Sequence, residues 1–150
     1  MGMSKSPTEI AQEYLASLRR SAAGEAGSHE YLDFWADEIE YILPGLWPMN
    51  GVFSKAEYIE KTAPMMESNV EGDGDRIGEP GTGLYGYEFI EEGNKVCALA
   101  RSRGRDGRGI PYFNTFCLWM EFNDEGKLIR YVDEADFSSG WQAFWGLHLE

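Results

Sequence analysis

The sequence predicts an α+β fold: a curved antiparallel sheet with helices packed on one of its faces. Two observations carry this. Helical periodicity comes first along the chain, and a run of strands follows it. Within that run, Ile110 to Asp136 reads as one long hairpin: Tyr112 to Phe122 is rich in aromatic and branched residues, Asn123-Asp124-Glu125-Gly126 supplies turn chemistry, and Lys127 to Ala135 returns. At 150 residues, with no internal repeat, the whole chain from 1 to 150 is expected to form a single domain, its outermost residues left out of the functional reading.

The elements follow in order. Ser6-Pro7-Thr8-Glu9 is a helix start, with Ser6 as N-cap, Pro7 in the first turn and Glu9 closing a capping box. Ile10, Tyr14, Leu15 and Leu18 then recur at helical spacing, and Arg19-Arg20 suits the C-terminal end of the helix dipole. Gly24 to Gly27 is a linker. Ser28 can cap a short second helix that holds Tyr31, Leu32, Phe34 and Trp35, and Glu38 to Leu43 alternates as a strand. Pro44, Gly45, Pro48, Asn50 and Gly51 break the pattern before Ser54-Lys55-Ala56-Glu57 repeats the capping-box spacing for a third helix, which Pro64 kinks or ends. Asn69 to Gly83, dense in glycine and acid, is a loop without the GKS/T or strand-loop-helix context of a phosphate cradle. Leu84 to Glu91 and Lys95 to Arg103 form another hairpin, and Ser138 to Leu147 a short apolar terminal helix.

The central strand has an unusual pattern. Tyr112, Asn114, Phe116, Leu118, Met120 and Phe122 fall on one face, and Phe113, Thr115, Cys117, Trp119 and Glu121 on the other. Neither reads as a solvent face, so both should be covered, one by helices or a ligand cavity and the other by a second subunit, which predicts a homodimer.

Composition narrows the function. A formal net charge of −13 argues against nucleic acid and anionic membrane as partners, since both would be repelled. No apolar run approaches the roughly 18 to 20 residues of a membrane span, and no signal-peptide pattern begins the chain, so a soluble cytoplasmic protein is expected. Cys97 and Cys117 lack metal-ligand spacing, as do His29 and His148; no metal and no cofactor is expected. The two cysteines would be near-symmetric about the Gly104 to Gly109 turn, and buried reduced thiols are the reading that suits a cytosolic protein.

The segment Trp35-Ala36-Asp37-Glu38 through Leu43-Pro44-Gly45, then Gly51 with the Ser54 to Thr62 helix, then FNDEGKLIRYVDEAD, resembles the cone-shaped nuclear-transport-factor-2-like fold, in its SnoaL-like, ketosteroid-isomerase-related branch. The resemblance spans nearly the whole chain. It implies a cone-shaped curved antiparallel sheet with the N-terminal helices packed on its concave face, enclosing a pocket, and with it a site for a hydrophobic, cyclic, oxygenated small molecule and cofactor-free acid/base chemistry: an isomerase, cyclase or dehydratase. The alternative is a non-catalytic ligand-binding or dimerisation module, and the third reading is an epoxide hydrolase of the limonene type.

Carried over residue by residue, the resemblance removes as much as it supplies. The general base of the ketosteroid isomerases falls on Leu43 and the protonated aspartate of their oxyanion hole on Leu118, while their tyrosine donor corresponds to Tyr14. A leucine takes no proton, so the steroid-isomerase mechanism is disfavoured. Arg101 fits the arginine of limonene-type hydrolases, but Arg103 stands where their aspartate should be. Asp133 resembles the strand carboxylate that phenazine-biosynthesis relatives use as an acid/base, and whether Asp133 or Asp136 matches the late carboxylate of polyketide cyclases stays open. Burial among Trp35, Phe116 and Leu118 would push the pKa of Asp133 up, towards the range useful for proton transfer.

The candidate catalytic set is therefore Asp133, Asp136, Asn114, Tyr14 and Arg101, with Tyr31, Trp35, Leu43, Tyr85, Phe116 and Leu118 as ligand-lining residues. Asn114 would orient a ligand carbonyl or satisfy neighbouring backbone, and whether Arg101 shares its face depends on a register the Gly104 to Gly109 turn leaves open by one residue.

Overall fold

A computed structural model describes residues 4–22, 29–44, 50–62, 83–105 and 111–135, with positions 83–87, 102–105 and 111–114 described as backbone. Two helices, a 3₁₀ turn and six strands make up this part: α1 (Pro7–Ala22), the 3₁₀ turn (Glu30–Phe34), β1 (Trp35–Leu43), β2 (Gly51–Phe53), α2 (Lys55–Glu57, running on through Tyr58–Thr62 as one wider turn), β3 (Gly83–Glu92), β4 (Lys95–Arg105), β5 (Pro111–Phe122) and β6 (Leu128–Ala135). The terminal helix expected over Ser138 to Leu147, the Asn69 to Gly83 loop up to residue 82, and Asp136 lie outside the described residues.

Both capping boxes form. The Glu9 amide donates to Ser6 Oγ and the Ser6 amide to Glu9 Oε2; Ser54 and Glu57 repeat the exchange at α2. A further carboxylate reaches α1 from the sheet. Glu91 Oε2 accepts from both the amide and the hydroxyl of Thr8, at 2.9 and 2.6 Å, which ties the start of α1 to the end of β3 and holds the Glu91 carboxyl below its usual pKa. The turn after β5 is closed by Asn123, whose Oδ1 accepts from the amides of Glu125 and Lys127, with Gly126 at φ 75°, a conformation that favours glycine.

The strands form one sheet in the order β2-β1-β6-β5-β4-β3. It is mixed, which corrects the all-antiparallel expectation: β1 runs parallel to β6, with Tyr41 opposite Tyr131 and Ile42 opposite Val132. A parallel pair needs a long crossover, and here every other strand of the sheet intervenes between the two partners in sequence. Irregular steps between Trp35 and Glu40, Gly86 and Glu88, and Glu121 and Phe122 bend the strands, as bulges do, and give the sheet its curvature. Two other local readings change. The second helix is a single 3₁₀ turn ending at Phe34, so Trp35 opens β1 instead of closing a helix, and β2 is a strand too short for a periodic signal.

α1 lies across β3 and β4. Beneath it, Val96, Ala98 and Ala100 of β4 and Phe116, Leu118, Met120 and Phe122 of β5 are buried, and the bare methyls of Ala98 and Ala100 leave room for the helix. The other face departs from the expectation that both sides of β5 are covered: within the single chain Thr115 and Cys117 are exposed and Trp119 is 39% exposed.

Register explains why β5 looked doubly buried. Ile90, Cys97, Trp119, Val132, Ile42 and Val52 stand opposite one another in turn, an apolar row across all six strands. Next to it Glu92, Lys95, Glu121, Arg130 and Glu40 form a row of alternating charge. Directly opposed charges of opposite sign favour this register over its neighbours by about 0.2–1 kcal/mol per pair. Among the described residues no helix is long and apolar enough to cross a membrane.

Candidate functional site

The inner face of the sheet gathers its polar chemistry at one carboxyl group. Asp133 stands opposite Leu118 on β6, two residues after the buried Tyr131 and therefore on the same face. Tyr41, from the neighbouring β1, donates its hydroxyl to Asp133 Oδ2 at 3.0 Å. The other oxygen, Oδ1, is shut off from solvent and has no hydrogen-bond partner among the described residues. Leaving a buried acceptor empty costs about 1–3 kcal/mol, and more for a charged group, so a fold keeps one only where something offsets it.

Around this carboxyl stands a box of aromatic rings. Trp35 is its centre, with ring centroids 4.7 Å from Tyr58, 5.1 Å from Tyr41, 6.2 Å from Tyr131 and 6.4 Å from Tyr31. Each such pair adds about 0.5–1.5 kcal/mol beyond burial. Their polar atoms are paired as well: Trp35 Nε1 donates to the Tyr14 hydroxyl at 3.1 Å, and the hydroxyls of Tyr31 and Tyr58 meet at 3.0 Å. The Lys55 ammonium donates to the Trp35 carbonyl and holds α2 against the start of β1.

Burial governs the electrostatics. Desolvation raises the phenols of Tyr14, Tyr41, Tyr58 and Tyr131 well above 10, with the charge of Asp133 pushing the same way, so they stay protonated and serve as donors. Desolvation likewise raises Asp133 from 3.8 to about 6; the Tyr41 hydrogen bond opposes this and the charge of Glu134 adds to it. An aspartate in that range changes protonation just below neutral pH, where an acid/base group works best.

A direct prediction follows for Tyr41→Phe. Removing this donor, which favours the ionised form, should move the Asp133 titration above about 6, and a carboxyl-resolved titration of the variant checks it.

Of the sequence-derived set, Tyr14, Tyr31, Trp35, Leu43, Phe116 and Leu118 all lie in the buried core that Asp133 faces. Arg101 does not join them. It stands opposite Thr115 while Asn114 stands opposite Ser102, which answers the register question, and Arg101 is exposed on the outer face with Cys97. Asn114 and Tyr85 are described as backbone, and Asp136 lies beyond the described residues.

Sequence reasoning missed Tyr41, Tyr58 and Tyr131. Strand period was the available signal for two of them, since Tyr41 is two residues from Leu43 and Tyr131 two from Asp133. A groove of about 330 Å³ lies elsewhere, lined by Lys5, Glu13, Asp33, Phe34, Gly126 and Lys127. Its ammonium groups are already engaged, Lys5 by Glu13 and Lys127 by the Asp33 carbonyl, so the chemistry points to Asp133 instead.

Known structures agree with this architecture. A candidate SnoaL-like polyketide cyclase from a Jannaschia species superposes with a TM-score of 0.66 at 14% identity, over 98% of this chain and 100% of that one. The fold is the nuclear-transport-factor-2-like cone. An NTF2-like protein from Burkholderia thailandensis matches at 0.65 and 16% identity, over 88% of this chain and 92% of its own. TerC, co-crystallised with polyporic acid, matches at 0.68 and 19% identity, over 93% of this chain and 98% of its own. No family profile matches the sequence, and no curated protein matches it. At these identities the likeness establishes the cone and leaves its chemistry to the residues.

Proposed function

We propose that this protein is a cofactor-independent acid/base enzyme of the isomerase, cyclase or dehydratase type, acting on a hydrophobic, cyclic, oxygenated small molecule. The observation that carries the proposal is the second oxygen of Asp133: buried, without a hydrogen-bond partner among the described residues, and on a carboxyl whose pKa is lifted to about 6. A substrate C–H or O–H group is the partner this oxygen would take. Asp133 takes the proton and returns it at another atom. Tyr14, whose oxygen accepts from Trp35, keeps its own O–H to polarise a carbonyl, and Trp35, Phe116 and Leu118 pack the apolar body of the ligand. A solved structure of this fold that contains polyporic acid is consistent with a small-molecule site.

The second reading is a ligand-binding module without turnover. The core positions of Leu43 and Leu118 favour it, because these are where the isomerase base and oxyanion donor would be, and both side chains are buried hydrocarbon. Limonene-type epoxide hydrolysis loses support, since Arg101 is on the far face from Asp133.

Incubation with a panel of cyclic ketones, hydroxyketones and enols in deuterated water separates the first two. An enzyme washes solvent deuterium into a carbon-bound position, whereas a binder shifts ligand resonances and exchanges nothing above the uncatalysed rate.

A further inference from the structure

The acid/base reading leaves Cys97 and Cys117 unused. Contrary to the expectation of buried thiols, Cys117 is exposed and Cys97 half-buried, both on the outer face of the sheet. Cys97 stands opposite Trp119 and Cys117 opposite Leu99, so the two are diagonal neighbours on adjacent antiparallel strands. Diagonal Cβ atoms typically sit about 7–8 Å or somewhat less apart, wider than the span of a disulfide. Here the side chains turn towards each other and bring the two Sγ atoms to 3.2 Å.

We propose that Cys97 and Cys117 form a cross-strand dithiol that a peroxide oxidises to an intrachain disulfide joining β4 to β5. Closing the bond to about 2.05 Å requires roughly a further ångström of approach, which side-chain rotation and a small strand adjustment supply. Cys117 reacts first because it is open to solvent, whereas burial and the neighbouring thiol hold Cys97 up at about 11 and keep it protonated. The Cys117 thiolate attacks the O–O bond of hydrogen peroxide, giving a sulfenic acid and, once protonated, one water. The sulfur of Cys97 then attacks the sulfenic sulfur, loses its proton and expels the hydroxyl as a second water. In sum two thiols and one peroxide become one disulfide and two waters. The peroxide is reduced by the two electrons that the sulfurs give up.

The test treats the intact protein with a small excess of hydrogen peroxide, followed by intact mass, thiol titration and peptide mapping. The expected result is a loss of about 2 Da, disappearance of both thiols together, a Cys97–Cys117 crosslinked peptide, and full reversal by dithiothreitol. Added oxygen on Cys117 with Cys97 still titratable, crosslinks between chains, or thiols that do not react would each overturn it. In Cys97→Ser the sulfenic acid has no partner, so Cys117 should instead gain oxygen; if that variant fails to fold, the wild-type mass and peptide map decide the matter alone.

Discussion

Asp133→Asn should cost at least about 10²-fold in turnover, and up to about 10⁴-fold, while ligand affinity changes little. The amide is close in size to the carboxyl and can still accept from Tyr41, so the box around it keeps its packing. What it loses is the ability to take and return a proton. Turnover and binding measured side by side on the variant decide between the readings: if both persist unchanged, Asp133 has no chemical role.

The same substitution carries a stability signature whose sign is fixed by the direction of the pKa shift. The folded chain holds the Asp133 proton more tightly than the unfolded chain does, because the pKa rises from 3.8 to about 6 on folding. The unfolded state therefore binds fewer protons between those values, and stability falls as pH rises through the window, then stays level above it. At about 1.36 kcal/mol per pKa unit, the full cost above pH 6 is of the order of 3 kcal/mol. Asp133→Asn removes this cost. Thermal unfolding from pH 4 to pH 7 should show the wild type losing ground to the variant by up to that amount, and parallel curves would mean that the carboxyl is solvated.

Phe122→Ala is the substitution expected to damage the fold most. Phe122 is 0% exposed and lies at the irregular step between β5 and β6, where its amide donates to the Asn94 carbonyl and its carbonyl accepts from Asn94 Nδ2. Those backbone bonds survive the change, so the loss is that of the ring and the cavity it leaves, about 3–5 kcal/mol. Denaturant unfolding at fixed pH measures it, and a loss under 1 kcal/mol would mean that the core there collapses freely.

What the sequence made legible was local. Both capping boxes, the Asn123 turn and the inward set of β5 rest on contacts within a few residues or on strand period, and each is found where the residues indicate. The partner of Asp133 was hidden because the bond from Tyr41 spans 92 residues and depends on β1 pairing parallel with β6, an adjacency that no periodicity encodes. Trp35 read as helical because the 3₁₀ turn before it runs directly into β1 without a break. The outer face read as buried because its apolar row looks like a core row until the chain is seen to leave it open, with Ile90 68% and Val52 61% exposed.

The central claim is that Asp133, half-buried as a residue but with its Oδ1 shut off from solvent, is an acid poised near neutral pH. A carboxyl-resolved NMR titration, with Asp133→Asn to assign the resonance, tests it most directly. A midpoint of about 6 is the result that desolvation of this carboxyl, opposed by the Tyr41 hydrogen bond, predicts. A midpoint at or below 3.8 would mean a solvated or ion-paired side chain and would contradict the assignment of acid/base chemistry to this site.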